Sequence, residues 1–157
     1  MIVLRPVQPQ DIKYFARWWR DPDLIRVTSG DTVELTDHQV ARYFKNIFES
    51  QTAQHFMVDC DFDTIGHISL QKRANDWWET QIILGEKKSR GKGYGLQAIR
   101  QLLDEAKTRG ISKIYLEVRP ENVRAIRAYQ KAGFKRVGKM INTLNKLQPQ
   151  LVRMELG

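Results

Sequence analysis

The chain has 157 residues, 41% of them hydrophobic, a formal net charge of +8 and one cysteine. This length fits one domain over residues 1–157 with enough apolar side chains for a core. No apolar stretch approaches the roughly 20 residues that span a bilayer, and no basic segment followed by an apolar one opens the chain, so a soluble, cytoplasmic protein with no membrane partner is expected. The lone Cys60 excludes an internal disulfide and a cysteine metal cluster, and its strand context reads as a small buried hydrophobe rather than a nucleophile.

Val3 to Val7 predicts a first strand, and Asp11 to Arg20 a helix with Ile12, Phe15, Ala16 and Trp19 on one face. Asp21-Pro22 ends it, because the residue before a proline is steered away from helical backbone, and residues 21–35 read as a loop. Thr36-x-x-Gln39 has the spacing of a capping box, which opens a helix running to about Glu49 with Val40, Phe44, Ile47 and Phe48 as its apolar face. Gln54 to Cys60 and Thr64 to Gln71 alternate around Asp61-Phe62-Asp63 as a hairpin, and Trp78 to Leu84 follows as the next antiparallel strand. A helix over 94–109 stopped by Gly110, a strand over 112–118, a helix over 122–132 and closing strands near 134–140 and 150–156 complete the series. The polar stretch Asn142 to Gln150 reads as a loop between the last two strands. Strands first, then helices on both faces of a mixed sheet, define an α+β domain.

Residues 90–95 read Arg-Gly-Lys-Gly-Tyr-Gly. Three glycines within five residues leave backbone N–H groups unshielded, and the run Ile82-Ile83-Leu84 feeds the turn as a strand. Leu96, Ile99, Leu102, Leu103 and Ala106 then recur at helical spacing. The turn therefore sits at a helix N-terminus, where unpaired N–H groups and the macrodipole favour an anion, and a phosphate is the expected ligand. A Rossmann turn would need a glycine at Leu96, and a Walker loop would need Ser or Thr at Gly93 to hold magnesium. Neither fits. Charge points the same way: residues 86–139 carry 15 Lys and Arg against 5 Asp and Glu, whereas residues 1–85 carry 9 against 12. Basicity gathers where the phosphate is expected, and the acidic first half suits a cationic amine.

Arg90-x-x-Gly93-x-Gly95 resembles the pyrophosphate-binding motif of the GNAT superfamily of acetyl-CoA-dependent N-acetyltransferases. Asn122…Ala125…Tyr129…Gly133-Phe134, after a strand at Ile114 to Val118, is similar to that family's next motif. The likeness extends back through Trp18-Trp19-Arg20-Asp21-Pro22 to Leu4-Arg5-Pro6, and is nearest to the ribosomal-protein alanine acetyltransferases and their relatives. It implies the GNAT fold, a mostly antiparallel mixed sheet whose fourth and fifth strands splay to admit the pantetheine arm of acetyl-CoA. The resemblance assigns the arm to backbone groups of Ile83, Leu84 and Gly85, one N–H there serving as oxyanion donor. It assigns the pyrophosphate to N–H groups of Arg90, Gly91, Lys92, Gly93, Tyr94 and Gly95, with charge from Arg90 and Lys92, and a further arm contact to Asn122.

Tyr129 is the candidate general acid, since a phenol stays protonated at neutral pH and can donate to a departing thiolate. Its alternative is plain packing with Ala125, Ile126 and Ala132. Glu79 is the candidate base, with water as the other route, and its alternative is a solvent-facing carboxylate. Trp77 and Trp78 either wall an acceptor pocket or pack at a strand edge. Of Trp18 and Trp19, one is expected to pack inward and the other to line the site. Asp21, Asp23, Asp31 and Glu34 either attract a cation or are simply solvated. His38, His55 and His67 are too scattered for a metal motif, so no metal is expected.

The implied reaction is direct acetyl transfer to a primary amine, either a protein N-terminus or a small polyamine or aminoglycoside. The alternative class is a non-catalytic acyl-CoA sensor, or a basic RNA- or ribosome-binding module, on the same fold. Nucleic acid is disfavoured, because the aromatics among residues 86–139 are Tyr94, Tyr115, Tyr129 and Phe134, mostly at core or motif positions. Monomer and homodimer both remain open.

Overall fold

The computed structural model describes residues 1–27, 34–138, 141–142 and 150–157. Its strands are β1 (Ile2–Pro6), β2 (Ala53–Cys60), β3 (Asp63–Lys72), β4 (Trp78–Leu84), β5 (Ile114–Val118), β6 (Phe134–Arg136), β7 (Ile141–Asn142) and β8 (Gln150–Leu156). Its helices are α1 (Ile12–Trp18), α2 (Pro22–Val27), α3 (Asp37–Phe48), α4 (Tyr94–Thr108) and α5 (Val123–Lys131). One mixed sheet runs β1-β2-β3-β4-β5-β8-β6, with β7 pairing β8. All pairs are antiparallel except β4 with β5.

Strand alternation divides the sheet into two faces. On one, Ile68, Leu70, Ile114, Leu116, Val152 and Met154 pack against Ala98, Ile99, Leu102 and Ala106 of α4 and Ile126 of α5. Ile99 and Leu102 are at most 2% exposed, a burial worth about 1.5–3 kcal/mol for each such side chain. On the other, Met57 packs with Phe15, Trp18, Leu24 and Phe44 from α1, α2 and α3. The apolar residues thus form two clusters, one per face, as expected for helices on both sides of a sheet.

The Thr36 hydroxyl accepts from the Gln39 N–H at 3.2 Å while the Gln39 side chain accepts from the Thr36 N–H at 2.9 Å, the expected capping box. The first helix ends as expected near Pro22, but Pro22 then opens α2, part of the stretch read as loop. A proline lacks only an N–H that a first helical turn leaves unbonded anyway, and the Asp21 carboxylate accepts from the Asp23 N–H at 3.0 Å. Trp18 rather than Trp19 is the buried indole of α1, at 2% exposure. The closing strand expected over 134–140 stops at Arg136. Residues 139–140, 28–33 and 143–149, including Asp31 and most of the predicted last loop, lie outside the described residues.

Candidate functional site

β4 and β5 pair only at Trp78↔Ile114 and Glu79↔Tyr115 and then part. A cleft of about 560 Å³ opens beside the gap, bordered by Glu79, Ile82 and Ile83 of β4, Glu117 and Val118 of β5, and Asn122 and Tyr129 around α5. The Trp78 N–H donates to the Lys113 carbonyl at 2.8 Å, whereas the Gly85 N–H points the opposite way, to the Ile65 carbonyl on β3 at 2.8 Å. Alternation therefore turns the N–H groups of Ile82 and Leu84 toward the parted edge, where β5 no longer meets them. Of the three expected arm-binding residues, Leu84 turns its N–H to the parted edge, Ile83 lines the cleft, and Gly85 has its N–H already engaged. Gly85 matters for another reason: a Cβ there would run into the Trp18 indole. The Arg17–Glu86 ion pair ties α1 to the same end of β4.

The glycine turn follows. Gly91 and Gly93 have φ of +76° and +81°, the left-handed region that glycine enters without steric cost. Gly93 is the N-cap of the 15-residue α4. Among the described residues, none of the N–H groups of residues 91–96 has an acceptor. Six unengaged donors at a helix N-terminus, with exposed Lys92 beside them, suit a pyrophosphate. The Arg90 N–H, expected among the pyrophosphate donors, is already engaged by the Lys87 carbonyl at 3.2 Å, and its side chain braces the turn against β4, Nε donating to the Leu84 carbonyl at 3.0 Å and Nη2 to the Gly85 carbonyl at 3.3 Å. Tyr94 packs on the main core with its hydroxyl beside Cys60, and Gly95 faces Leu84. Arg124 of α5, not foreseen from the sequence, places its guanidinium 3.9 Å from where a Gly91 Cβ would sit, and it has no ion pair among the described residues. Its signal was spacing, two residues past the cap of the second motif.

Asn122 caps α5, its side-chain oxygen accepting from the Ala125 N–H at 3.3 Å; the amide NH₂ has no partner among the described residues. Tyr129 is 6% exposed, with its ring edge-on to Phe134 at 5.9 Å. Burial pushes the phenol pKa well above its usual value. Packing and cleft-lining thus coincide at this residue.

Glu79 is buried, not solvent-facing, its Oε1 accepts from Arg73 Nε at 3.0 Å and Nη2 at 2.8 Å, and the residue borders the cleft. A second carboxylate that sequence reasoning missed, Glu117, lies on the same face two residues past the β5 partner of Glu79. Buried Arg119 reaches the cleft from the end of that strand. Trp19 and Tyr43 form the opposite wall, edge to face at 6.2 Å. Trp77 is elsewhere, packed on Tyr115 at 5.9 Å with Arg153 over its ring at 5.0 Å, and Trp78 joins the main core. His55 and His67, far apart in sequence, stack across β2 and β3 with Nδ1 and Nε2 3.0 Å apart. Among the described residues no three metal-ligating side chains cluster, and no helix is long and apolar enough to cross a membrane.

A family model for the acetyltransferase (GNAT) domain matches residues 1–135. Spermidine N(1)-acetyltransferase of Escherichia coli is 28% identical over 148 residues, covering 90% of this chain and 76% of the relative. Aminoglycoside N(6')-acetyltransferase type 1 of Klebsiella pneumoniae is 24% identical over 152 residues, covering 87% and 75%. The solved spermidine N-acetyltransferase of Vibrio cholerae, in complex with CoA and spermine, superposes with a TM-score of 0.82 at 25% identity over 98% of this chain and 94% of that one.

Proposed function

The chain belongs to the GNAT acetyltransferases, and from that premise we propose that it acetylates a small polycationic amine by direct transfer within the cleft between β4 and β5. It is an acetyl-CoA-dependent N-acetyltransferase; the choice of acceptor, the residue roles and the cytoplasmic setting are our reading. The observation that carries the reading is the parting of β4 and β5 beside six unengaged N–H groups, which together fit an extended arm ending in a pyrophosphate. Relatives named for spermidine and aminoglycosides support a polyamine or aminoglycoside over a protein N-terminus.

Acetyl-CoA supplies the activated acetyl thioester and departs as the free thiol. N–H groups of residues 91–96, with Lys92 and Arg124, hold the pyrophosphate, and Arg90 keeps the turn in register with β4. The Leu84 N–H, turned to the parted edge, polarises the carbonyl oxygen, while the Asn122 amide donates to the arm. Glu79, held by Arg73, takes the proton of the incoming ammonium, directly or through water, since only the neutral amine has a lone pair. Tyr129, kept protonated by burial, donates to the departing sulfur. The Trp19–Tyr43 wall accepts the cationic acceptor on aromatic faces.

The test is acetyl-CoA-dependent thiol release across polyamines, aminoglycosides, N-terminal peptides and ribosomal proteins, with mass detection of product. The expected result is turnover of small polycations, with velocity patterns that intersect when both substrates are varied. Turnover of peptides alone would overturn the acceptor class, and parallel patterns with an acetylated enzyme would overturn direct transfer.

A further inference from the structure

We propose that Glu117 selects the acceptor: its carboxylate holds a second ammonium group of a di- or polyamine whose reacting amine lies beside Glu79. This rests on the amine-acetyltransferase reading above and adds the residue that reads the rest of the acceptor. Glu117 projects from β5 to the face shared by Glu79, because Glu79 pairs with Tyr115 and side chains two apart on a strand point the same way. It borders the cleft and is half-buried, yet among the described residues it has no hydrogen bond or ion pair. The guanidiniums of Arg73 and Arg153 make their hydrogen bonds elsewhere, while Arg119, two residues on, lines the same cleft. Arg73 donates to Glu79, and Arg153, the cross-strand partner of Glu117, donates to Glu155 at 2.9 Å while lying 3.9 Å over the Tyr115 ring.

A half-buried carboxylate with no direct ion pair is costly to keep charged, and burial, followed by the charge of Glu79, pushes its pKa up against the weaker opposing pull of Arg153 and Arg73. A second ammonium group held at Glu117 relieves both penalties. The Trp19–Tyr43 pair across the cleft offers a surface on which a cation loses little of its stabilisation when water leaves. A monoamine gains nothing from Glu117. The site therefore discriminates by the acceptor's second charge, and it does so on binding rather than in the chemical step.

The experiment compares butylamine with butane-1,4-diamine, two acceptors of equal chain length, for wild type, Glu117→Gln and Glu117→Asp. Wild type is expected to favour the diamine. Glu117→Gln is expected to raise the diamine KM by roughly tenfold or more, the scale of one lost charged hydrogen bond. Butylamine kinetics, kcat and thermal midpoint stay within about twofold or a degree or two of wild type, and Glu117→Asp keeps part of the preference. Equal losses for both amines, or no loss for either, would overturn the proposal while leaving the acetyltransferase reading in place. If wild type binds acetyl-CoA but acetylates neither amine, the amine reading fails first and takes this assignment with it.

Discussion

His67 makes the fold acid-sensitive, and the size of the effect follows from its surroundings. It is 9% exposed, edge-on to Phe15 at 5.0 Å and stacked on His55 at 5.1 Å. Burial, and secondarily the proximity of His55, push its pKa from 6.5 down to about 3. A base whose folded pKa lies below its unfolded one binds protons better when unfolded. Its stabilising contribution is therefore complete above about pH 6.5 and declines as the pH falls toward 3. At pH 5 the unfolded chain is favoured over about 1.5 pH units at 1.36 kcal/mol each, or about 2 kcal/mol. His55, lowered by burial, adds in the same direction. Asp11 does not interfere. Burial raises its pKa, but hydrogen bonds from Arg5 and the Gln8 N–H outweigh that and lower it below 3.8, so its contribution is lost only at more acid pH. Urea unfolding at pH 7 and pH 5 should show a loss of about 2 kcal/mol in wild type and a markedly smaller loss in His67→Gln. Equal pH dependence in the two proteins, or a flat wild-type profile, would refute the reasoning.

Gly93→Ala introduces a Cβ with open space around it, so the effect is backbone strain at φ +81°, about 1–2 kcal/mol; the acetyl-CoA KM should rise severalfold with the acceptor KM unchanged. Gly85→Ala drives a methyl group into the Trp18 indole and should lower both the thermal midpoint and activity, with partial recovery of the midpoint when Trp18→Leu is added; differential scanning fluorimetry reads the midpoint and thiol release the activity. Thr36→Ala removes one half of the capping box and should cost about 1 kcal/mol in urea unfolding while leaving acetyl transfer intact.

The glycine turn, the Asn122-to-Phe134 motif and the hairpin were legible because each depends on local chemistry: φ beyond the reach of ordinary residues, a side-chain cap, strict alternation. Pro22 misled because the same residue that forbids helix behind it favours helix ahead of it. Trp18 and Trp19 could not be ranked, since adjacent indoles fit an apolar face about equally well and only the docking of α1 on Gly85 decides which is buried. Glu117 sits between Leu116 and Val118, where alternation predicts an outward residue. What periodicity lacks is that outward here means into the cleft, because β4 and β5 part. The His55–His67 stack is likewise invisible to spacing, as cross-strand register sets it. Arg90 and Gly85 were picked out by position, but position does not reveal their hydrogen bonds, from Arg90 to the Leu84 and Gly85 carbonyls and from Gly85 to Ile65 of β3.

The most direct test of the account is Tyr129→Phe, assayed for acetyl-CoA binding and for thiol release with the preferred amine. The phenyl ring keeps the contact with Phe134, so the variant should bind acetyl-CoA like wild type and melt within a few degrees of it. Its kcat should fall by roughly 10²–10⁴, the span of a lost acid–base group. A variant that binds normally and turns over at the wild-type rate would mean that Tyr129 only packs, and would remove the acid from the mechanism.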